Sequence, residues 1–136
     1  MMNSIKKRLF YGLYDEGDKK MNYPPIEVNG AWRYRRYADG TYEAWCERLG
    51  TKFAIKNAAG NLFVSNAQNL GLPSELHSTA IHFCDIVLYA ADGFDIWGNV
   101  TDHSINSVTF KGYSTVSHES AEIEKLLYVF GEYERG

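Results

Sequence analysis

Cysteine, proline and long apolar runs are all scarce in this chain of 136 residues, which has two cysteines and three prolines. Cys46 and Cys84 stand outside any CxxC or Cys/His spacing, so no zinc motif is present, and we expect two free apolar thiols; a disulfide between them is the alternative. No run approaches the roughly 20 apolar residues of a membrane span. We therefore expect neither membrane insertion nor a signal peptide.

Excess positive charge is also missing. The chain carries 14 basic and 17 acidic residues, a formal charge of -3, which gives no general attraction for polyanions. Arg33, Arg35 and Arg36 alternate with aromatic residues, as in an RNA-stacking platform. Pairing of these arginines with acids or rings along a sheet face is the favoured interpretation, and no nucleic-acid partner is predicted.

Motifs of catalysis are absent as well. The four histidines, His77, His82, His103 and His118, fit no HExxH, HxH or Cys/His pattern, and no G-x-S-x-G elbow positions a serine. Phosphate-binding glycine loops are missing too. We therefore predict no enzyme activity, no metal site and no cofactor. Acids that could form a glycosidase pair exist without a defining motif: Glu43, Glu47, Asp85, Asp92, Asp95 and Asp102.

The most informative segment that is present runs from Trp32 to Cys46. Two alternating, aromatic-rich stretches flank an Ala-Asp-Gly corner, and this pattern predicts a β-hairpin because glycine adopts positive φ without a clash. Five residues are expected to be structural in this hairpin: Trp32, Tyr34, Asp39, Gly40 and Trp45.

Short strands separated by turn residues continue to the end of the chain. A second hairpin is predicted for Lys52–Lys56 and Leu62–Val64, and Thr79–Tyr89, apolar on both sides, is predicted to be a central strand. Turns are expected at Asp92–Gly93 and at Ser104–Asn106. This spacing favours an all-β fold, an antiparallel β-sandwich-like domain with an N-terminal arm, over an α/β fold.

The domain division follows the turn and proline signals. Residues 1–29 are predicted to be an arm and linker, and residues 30–136 a single sandwich domain. The segment from Ser120 to Phe130 fits a capped helix, but a closing strand is favoured because Tyr128, Val129 and Phe130 prefer β structure. A strand that is apolar on both faces needs a neighbouring subunit, which predicts a homo-oligomer.

The hairpin also carries a resemblance to a known family. It resembles the opening of a domain near the C-terminus of phage and prophage tail-fibre or tail structural proteins, which reads roughly Trp-x-Tyr-Arg-Lys-Trp-Ser-Asp-Gly-Thr-x-Glu-x-Trp. Beyond the hairpin the likeness is one of layout, over residues 30–134. Arg36 and Tyr37 stand where the pattern has Lys and Trp, and Cys46 stands where the family usually has Gly. The corresponding positions are Trp32, Tyr34, Arg35, Arg36, Tyr37, Asp39, Gly40, Thr41, Glu43 and Trp45.

The resemblance implies a virion tail domain with a structural or receptor-binding role, made in the bacterial host cytoplasm. It implies a homotrimer that contacts other tail proteins and a host cell-surface glycan or protein. Because sugars stack on aromatic rings and bond to polar side chains, the expected ligand residues are Tyr89, Asp92, Asp95, Trp97 and Asn99, in the loop after the Thr79–Tyr89 strand. For Trp97 the other interpretation is a core anchor. The alternative is a carbohydrate-binding module or a small glycan-processing hydrolase.

Overall fold

The computed structural model describes residues 14–15, 20–21 and 23–135, apart from the side chains of residues 14–15, 20–21 and 47–49. This part of the chain is almost entirely antiparallel β-sheet and contains no α-helix. The predicted all-β, sandwich-like fold is therefore confirmed. The chain forms strands because β-branched and aromatic residues, which favour extended backbone, alternate with polar ones. Gly, Asn and Asp interrupt these segments and form the turns.

Eleven strands are found in the described residues, together with one 3-10 turn at Ser74–Leu76. Their bounds are β1 Tyr14–Asp15, β2 Lys20–Met21, β3 Glu27–Asn29, β4 Trp32–Arg36, β5 Thr41–Ala59, β6 Leu62–Ser65, β7 Gln68–Gly71, β8 Ser78–Ala90, β9 Trp97–His103, β10 Ser107–Ser114 and β11 His118–Tyr133. Strands β1 and β2 pair only with each other; the other nine share one sheet.

That sheet curls into two layers, and the long strand β5 connects them. The first layer has the strand order β3-β4-β5-β11-β8, and the second joins β6 and β7 to β10 and then to β9. The first part of β5 pairs with β4, whereas its last residues pair with β6. Strands β8 and β9 approach each other without a hydrogen-bonded ladder, so the sheet is not closed.

The predicted first hairpin is confirmed as β4 and β5. The backbone N–H of Tyr37 donates to the carbonyl of Thr41, and Gly40 has φ +91°. Asp39 Oδ1 accepts hydrogen bonds from both the backbone N–H (3.0 Å) and the hydroxyl (2.7 Å) of Thr41. The Asp-Gly corner therefore reverses the chain for the reason expected from sequence.

The second hairpin is confirmed with a longer first strand. β5 continues without a break from residue 41 to residue 59, and Gly60, at φ +63°, turns the chain into β6. The predicted turns at Asp92–Gly93 and Ser104–Asn106 are also present, since Gly93 N–H donates to the Ala90 carbonyl and Ser104 N–H to that of Ser107.

The prediction that Thr79–Tyr89 is a central strand is wrong. In the described residues β8 pairs only with β11, so it lies at an edge of the first layer. Its inner face contributes Ile86 and Leu88 to the core, while its outer face exposes Phe83 and Val87. An apolar outer face gives the same sequence pattern as a second buried face, and periodicity cannot separate the two.

The closing strand is confirmed, and the helix alternative is wrong. β11 pairs with β5 on one edge and with β8 on the other. Buried residues recur at every second position from Ala121 to Val129, which is the period of a strand and not of a helix. Cys46 and Cys84 face the core on either side of β11, opposite Leu127 and Val129, and no disulfide links them.

Core side chains come from both layers. Those with the least exposure are Tyr42, Ala44, Cys46, Ile55, Leu76, Val108, Phe110, Ile123, Leu127 and Val129. The first hairpin contributes Trp32 and Tyr34 to this core, and Tyr37 is buried as well. Strand β3, which lies within the predicted arm of residues 1–29, pairs with β4. The predicted boundary between arm and domain at residue 30 stays a prediction. Most of the arm lies outside the described residues.

Candidate functional site

The outer face of the second layer carries a pair of aromatic rings, of which Trp97 is exposed and Tyr113 half-buried. Trp97 on β9 lies directly opposite Tyr113 on β10 in the strand register. Their ring centroids are 6.2 Å apart and the ring planes are 11° from parallel. Trp97 is 41% exposed although it contacts Tyr113. Tyr113 is half-buried, and the outward-facing pair of near-parallel rings is here called the Trp97–Tyr113 platform.

Strand alternation explains why these rings face outward. On β9 the side chains of Trp97, Asn99 and Thr101 point to solvent, because Gly98 and Val100 face the other layer. On β10 the buried partners are Val108 and Phe110.

Polar groups lie beside the platform. Asn99 is paired with Lys111 two residues along each strand from the aromatic pair. Asn99 is exposed and Lys111 half-buried. An amide that both donates and accepts, together with an ammonium that donates, is suited to the hydroxyl groups of a sugar whose apolar face rests on the rings.

The structure brings together only some of the predicted ligand residues. Trp97 and Asn99 share the platform face, but they lie on strand β9 and not in a loop. Asp92 and Asp95 are exposed in the connection between β8 and β9. Tyr89 lies on the outer face of the first layer, opposite Glu124 of β11, and so belongs to a different surface.

Two residues of this candidate site, Tyr113 in the platform and Lys111 beside it, were missed by sequence reasoning. A signal was nevertheless available in the sequence of β10. Val108, Phe110 and Gly112 occupy every second position and are apolar or small, which predicts that they face the core. Lys111 and Tyr113 occupy the positions between and after them and are therefore predicted to point outward. What could not be read from sequence is the register that places Tyr113 beside Trp97.

The outer face of the first layer is a second exposed surface, and it is more apolar. Strands β8 and β11 expose Phe83 (50%), Val87 (43%), Tyr89 (39%) and Leu126 (39%). Val87 is the direct register partner of Leu126, and the Phe83 ring lies 6.3 Å from that of Tyr128. Trp45 of β5 continues this surface, because it is the register partner of Tyr128.

A hydrogen-bond network centred on Glu43 borders that surface. The hydroxyls of Tyr37 (2.7 Å) and Tyr128 (3.0 Å) donate to opposite oxygens of the Glu43 carboxylate. Arg35 forms an ion pair with the same carboxylate at 3.4 Å. Burial, and next the negative charge of Glu43, raise the pKa of Tyr128 far above its ordinary value.

A cleft of about 370 Å³ lies at one end of the molecule, lined in part by Leu72, His77, Ile105 and Glu134. His77 has φ +54°, a conformation that non-glycine residues rarely adopt. The cleft does not contain a Ser-His-acid catalytic arrangement built on Ser78, because the hydroxyl of Ser78 is bonded elsewhere. It donates to the Ile105 carbonyl and accepts from the Tyr42 hydroxyl (2.8 Å). The cleft contains none of the predicted ligand residues.

The four histidines lie in separate surroundings. His82 Nε2 is 2.9 Å from Glu132, and His118 stacks on Phe94 with centroids 3.8 Å apart. Among the described side chains, no group of three or more His, Cys, Asp or Glu residues could hold a metal ion. The described part of the chain also has no helix with the length and apolarity that a membrane crossing requires.

No protein-family model, curated protein or solved structure matches this chain. The chemistry of the platform and of the apolar face must therefore be judged from the chain's own residues.

Proposed function

We propose that this chain is a non-catalytic structural and receptor-binding domain of a phage or prophage tail, and that it binds a host cell-surface glycan on the Trp97–Tyr113 platform. The single observation that supports this best is the exposed Trp97 ring, held nearly parallel to the half-buried Tyr113 ring on the outer face of the second layer. Sugar rings present a face of C–H groups that stacks on aromatic rings, and Asn99 and Lys111 are placed to bond its hydroxyls.

The tail assignment is supported by the hairpin resemblance. Its matching residues have folding roles: Trp32 and Tyr34 are buried, and Asp39 and Gly40 make the turn. A shared hairpin is thus an argument for a shared fold. Ligand binding would then depend on outward-facing residues that the motif does not include, as is usual when one fold carries different sites.

A glycan array followed by calorimetry with a soluble oligosaccharide hit tests the binding site. We expect Trp97→Ala to weaken binding at least about tenfold, roughly 1.4 kcal/mol, because the stacking surface is lost. Tyr89→Ala is the matched control, since it removes an exposed aromatic residue from the other layer, and it should leave the affinity within about twofold.

Two results would contradict the proposal: an array without any bound glycan, or a Trp97→Ala variant that binds as tightly as the unmodified protein. The hydrolase alternative is tested in the same experiment by product analysis. Turnover of a bound glycan that is abolished by Asp95→Asn would replace the binding role with a catalytic one.

A further inference from the structure

The outer face of the first layer carries opposite charges at its two sides, so two copies of this face can pack together with opposite charges in contact. One register row crosses four strands in the order Arg33, Trp45, Tyr128 and Asp85, on β4, β5, β11 and β8. A cation stands at one end, an acid at the other, and two aromatic residues lie between them. Rotation about a two-fold axis parallel to the strands reverses the row, so that Arg33 of one copy faces Asp85 of the other.

The polar groups of this face can be covered at low cost. The Glu43 carboxylate already accepts from Tyr37 and Tyr128 and pairs with Arg35, so its bonds are made within one copy. The guanidinium of Arg35 also lies over the rings of Tyr23 (4.6 Å) and Trp45 (5.6 Å). Burying groups that already have partners avoids the penalty of unsatisfied charge.

Association through the free edge of β8 is disfavoured by comparison. Asp85 Oδ1 accepts from the backbone N–H of Ile86 at 2.9 Å, and this occupies a group that strand pairing would need. Acidic side chains on edge strands oppose edge-to-edge addition in general. Packing of face on face leaves that bond intact.

The size of the face also suits a pair of copies. It is four strands wide, roughly 19 Å at the usual strand spacing, only along the five residues of β4, and the other three strands extend it beyond β4, with β8 covering about 43 Å at the usual rise. Summed strand by strand, such a face approaches the roughly 800 Å² per partner that a stable interface buries. The exposed apolar side chains of Phe83, Val87 and Leu126 lie within it.

We propose that this chain forms a two-fold homodimer, in place of the homotrimer that the hairpin resemblance implies, in which the outer faces of two first layers pack against each other. Arg33 of each copy pairs with Asp85 of the other, and Trp45 contacts Tyr128 across the axis. The second layer stays exposed on both outer sides, so each dimer presents two Trp97–Tyr113 platforms. This proposal does not depend on the glycan proposal.

Sedimentation equilibrium of the full chain over a range of concentrations tests the assembly. We expect a dimer, and we expect Arg33→Asp and Asp85→Arg each to raise its dissociation constant at least about tenfold through like-charge contacts. Val116→Lys, an exposed apolar residue outside this face (61% exposed), is the control and should have no effect. Thermal melts verify that every variant is folded.

Mixing the two charge-reversal variants gives the decisive measurement. When one variant pairs with the other, the introduced aspartate at position 33 faces the introduced arginine at position 85, and the two unchanged residues face each other as before. The mixture should therefore recover a dimer about as tight as the unmodified one. A monomer at all concentrations, a trimer, or a mixture no tighter than the separate variants would overturn the proposal. Glycan binding measured on the same samples reports separately on the platform.

Discussion

Lys125 is the residue whose side chain fits its position least well. It lies on the inner face of β11, between Ile123 and Leu127, and is only 6% exposed. Its ammonium nitrogen is 5.9 Å from the centre of the Phe110 ring, an arrangement that offsets part of the cost of burying a charge. Burial nevertheless lowers the pKa of Lys125, and the nearby Cys46 opposes this only in part.

We expect Lys125→Met to stabilise the protein by on the order of 1 kcal/mol at neutral pH, because an apolar chain of similar length replaces a desolvated amine. Denaturant unfolding measures this. Lys52→Met, at an exposed position of β5, is the control and should be close to neutral. A less stable Met variant would show that the ammonium contributes favourably in its buried position.

The same residue predicts a pH dependence. The unfolded chain keeps the Lys125 proton up to its ordinary pKa of 10.5, whereas the folded chain releases it at lower pH. Between the two values the unfolded state binds more protons, so stability rises with pH there. The advantage of the Met variant should therefore shrink as pH rises toward 10, which denaturant unfolding at several pH values would measure. Above pH 10 the buried Tyr42, its pKa raised by burial to about 12, makes stability fall again.

At the scale of elements, the first hairpin depends on its corner. The chain reverses within four residues, and both bonds from Asp39 Oδ1 to Thr41 hold the start of β5 in register with β4. Correct register places Trp32 opposite Cys46 and Tyr34 opposite Ala44, all inside. A slip by one residue would turn these side chains to solvent.

We expect Asp39→Ala to destabilise the protein by about 1 kcal/mol, through loss of the two turn hydrogen bonds. Asp92→Ala is the matched control, since Asp92 also precedes a glycine of positive φ but makes no side-chain hydrogen bond in the described structure. Thermal unfolding should separate the two variants by several degrees. Equal melting temperatures would argue against a special role for the Asp39 corner.

At the scale of the whole molecule, the two layers meet where β9 approaches β8. A Cβ added at Gly98 would lie 2.9 Å from Cγ of Leu88 and 3.1 Å from Cγ2 of Ile86. Only a residue without a Cβ lets the backbone of β9 come this close to Leu88 and Ile86 of β8. The contact between the unpaired edges of β8 and β9, here called the seam, therefore depends on Gly98. The same seam fixes the position of Trp97 beside Gly98.

Gly98→Ala should therefore destabilise the protein by about 1–3 kcal/mol, the usual cost of overpacking a core. Gly71→Ala is its control, because nothing lies within 4 Å of the added Cβ and the backbone has no positive φ. Denaturant unfolding gives the comparison. A Gly98→Ala variant as stable as Gly71→Ala would mean that the layers can separate freely at this seam.

The sequence alone was sufficient for features decided between near neighbours. The Asp39–Gly40 corner, the turn at Gly93 and the closing strand from Ile123 were all predictable, because local backbone preference and two-residue alternation set them. The candidate site was half predictable. Trp97 and Asn99 could be named from their chemistry, but their partners Tyr113 and Lys111 required the pairing of β9 with β10.

What only the tertiary structure decided is which apolar surfaces are buried. Phe83 and Val87 look in sequence like Ile86 and Leu88, yet the first pair faces solvent because β8 lies at an edge and nothing in the described chain covers its outer side. Strand order depends on contacts between residues far apart in the chain, and side-chain periodicity carries no information about it. For the same reason the row from Arg33 to Asp85 exists only after four strands have paired.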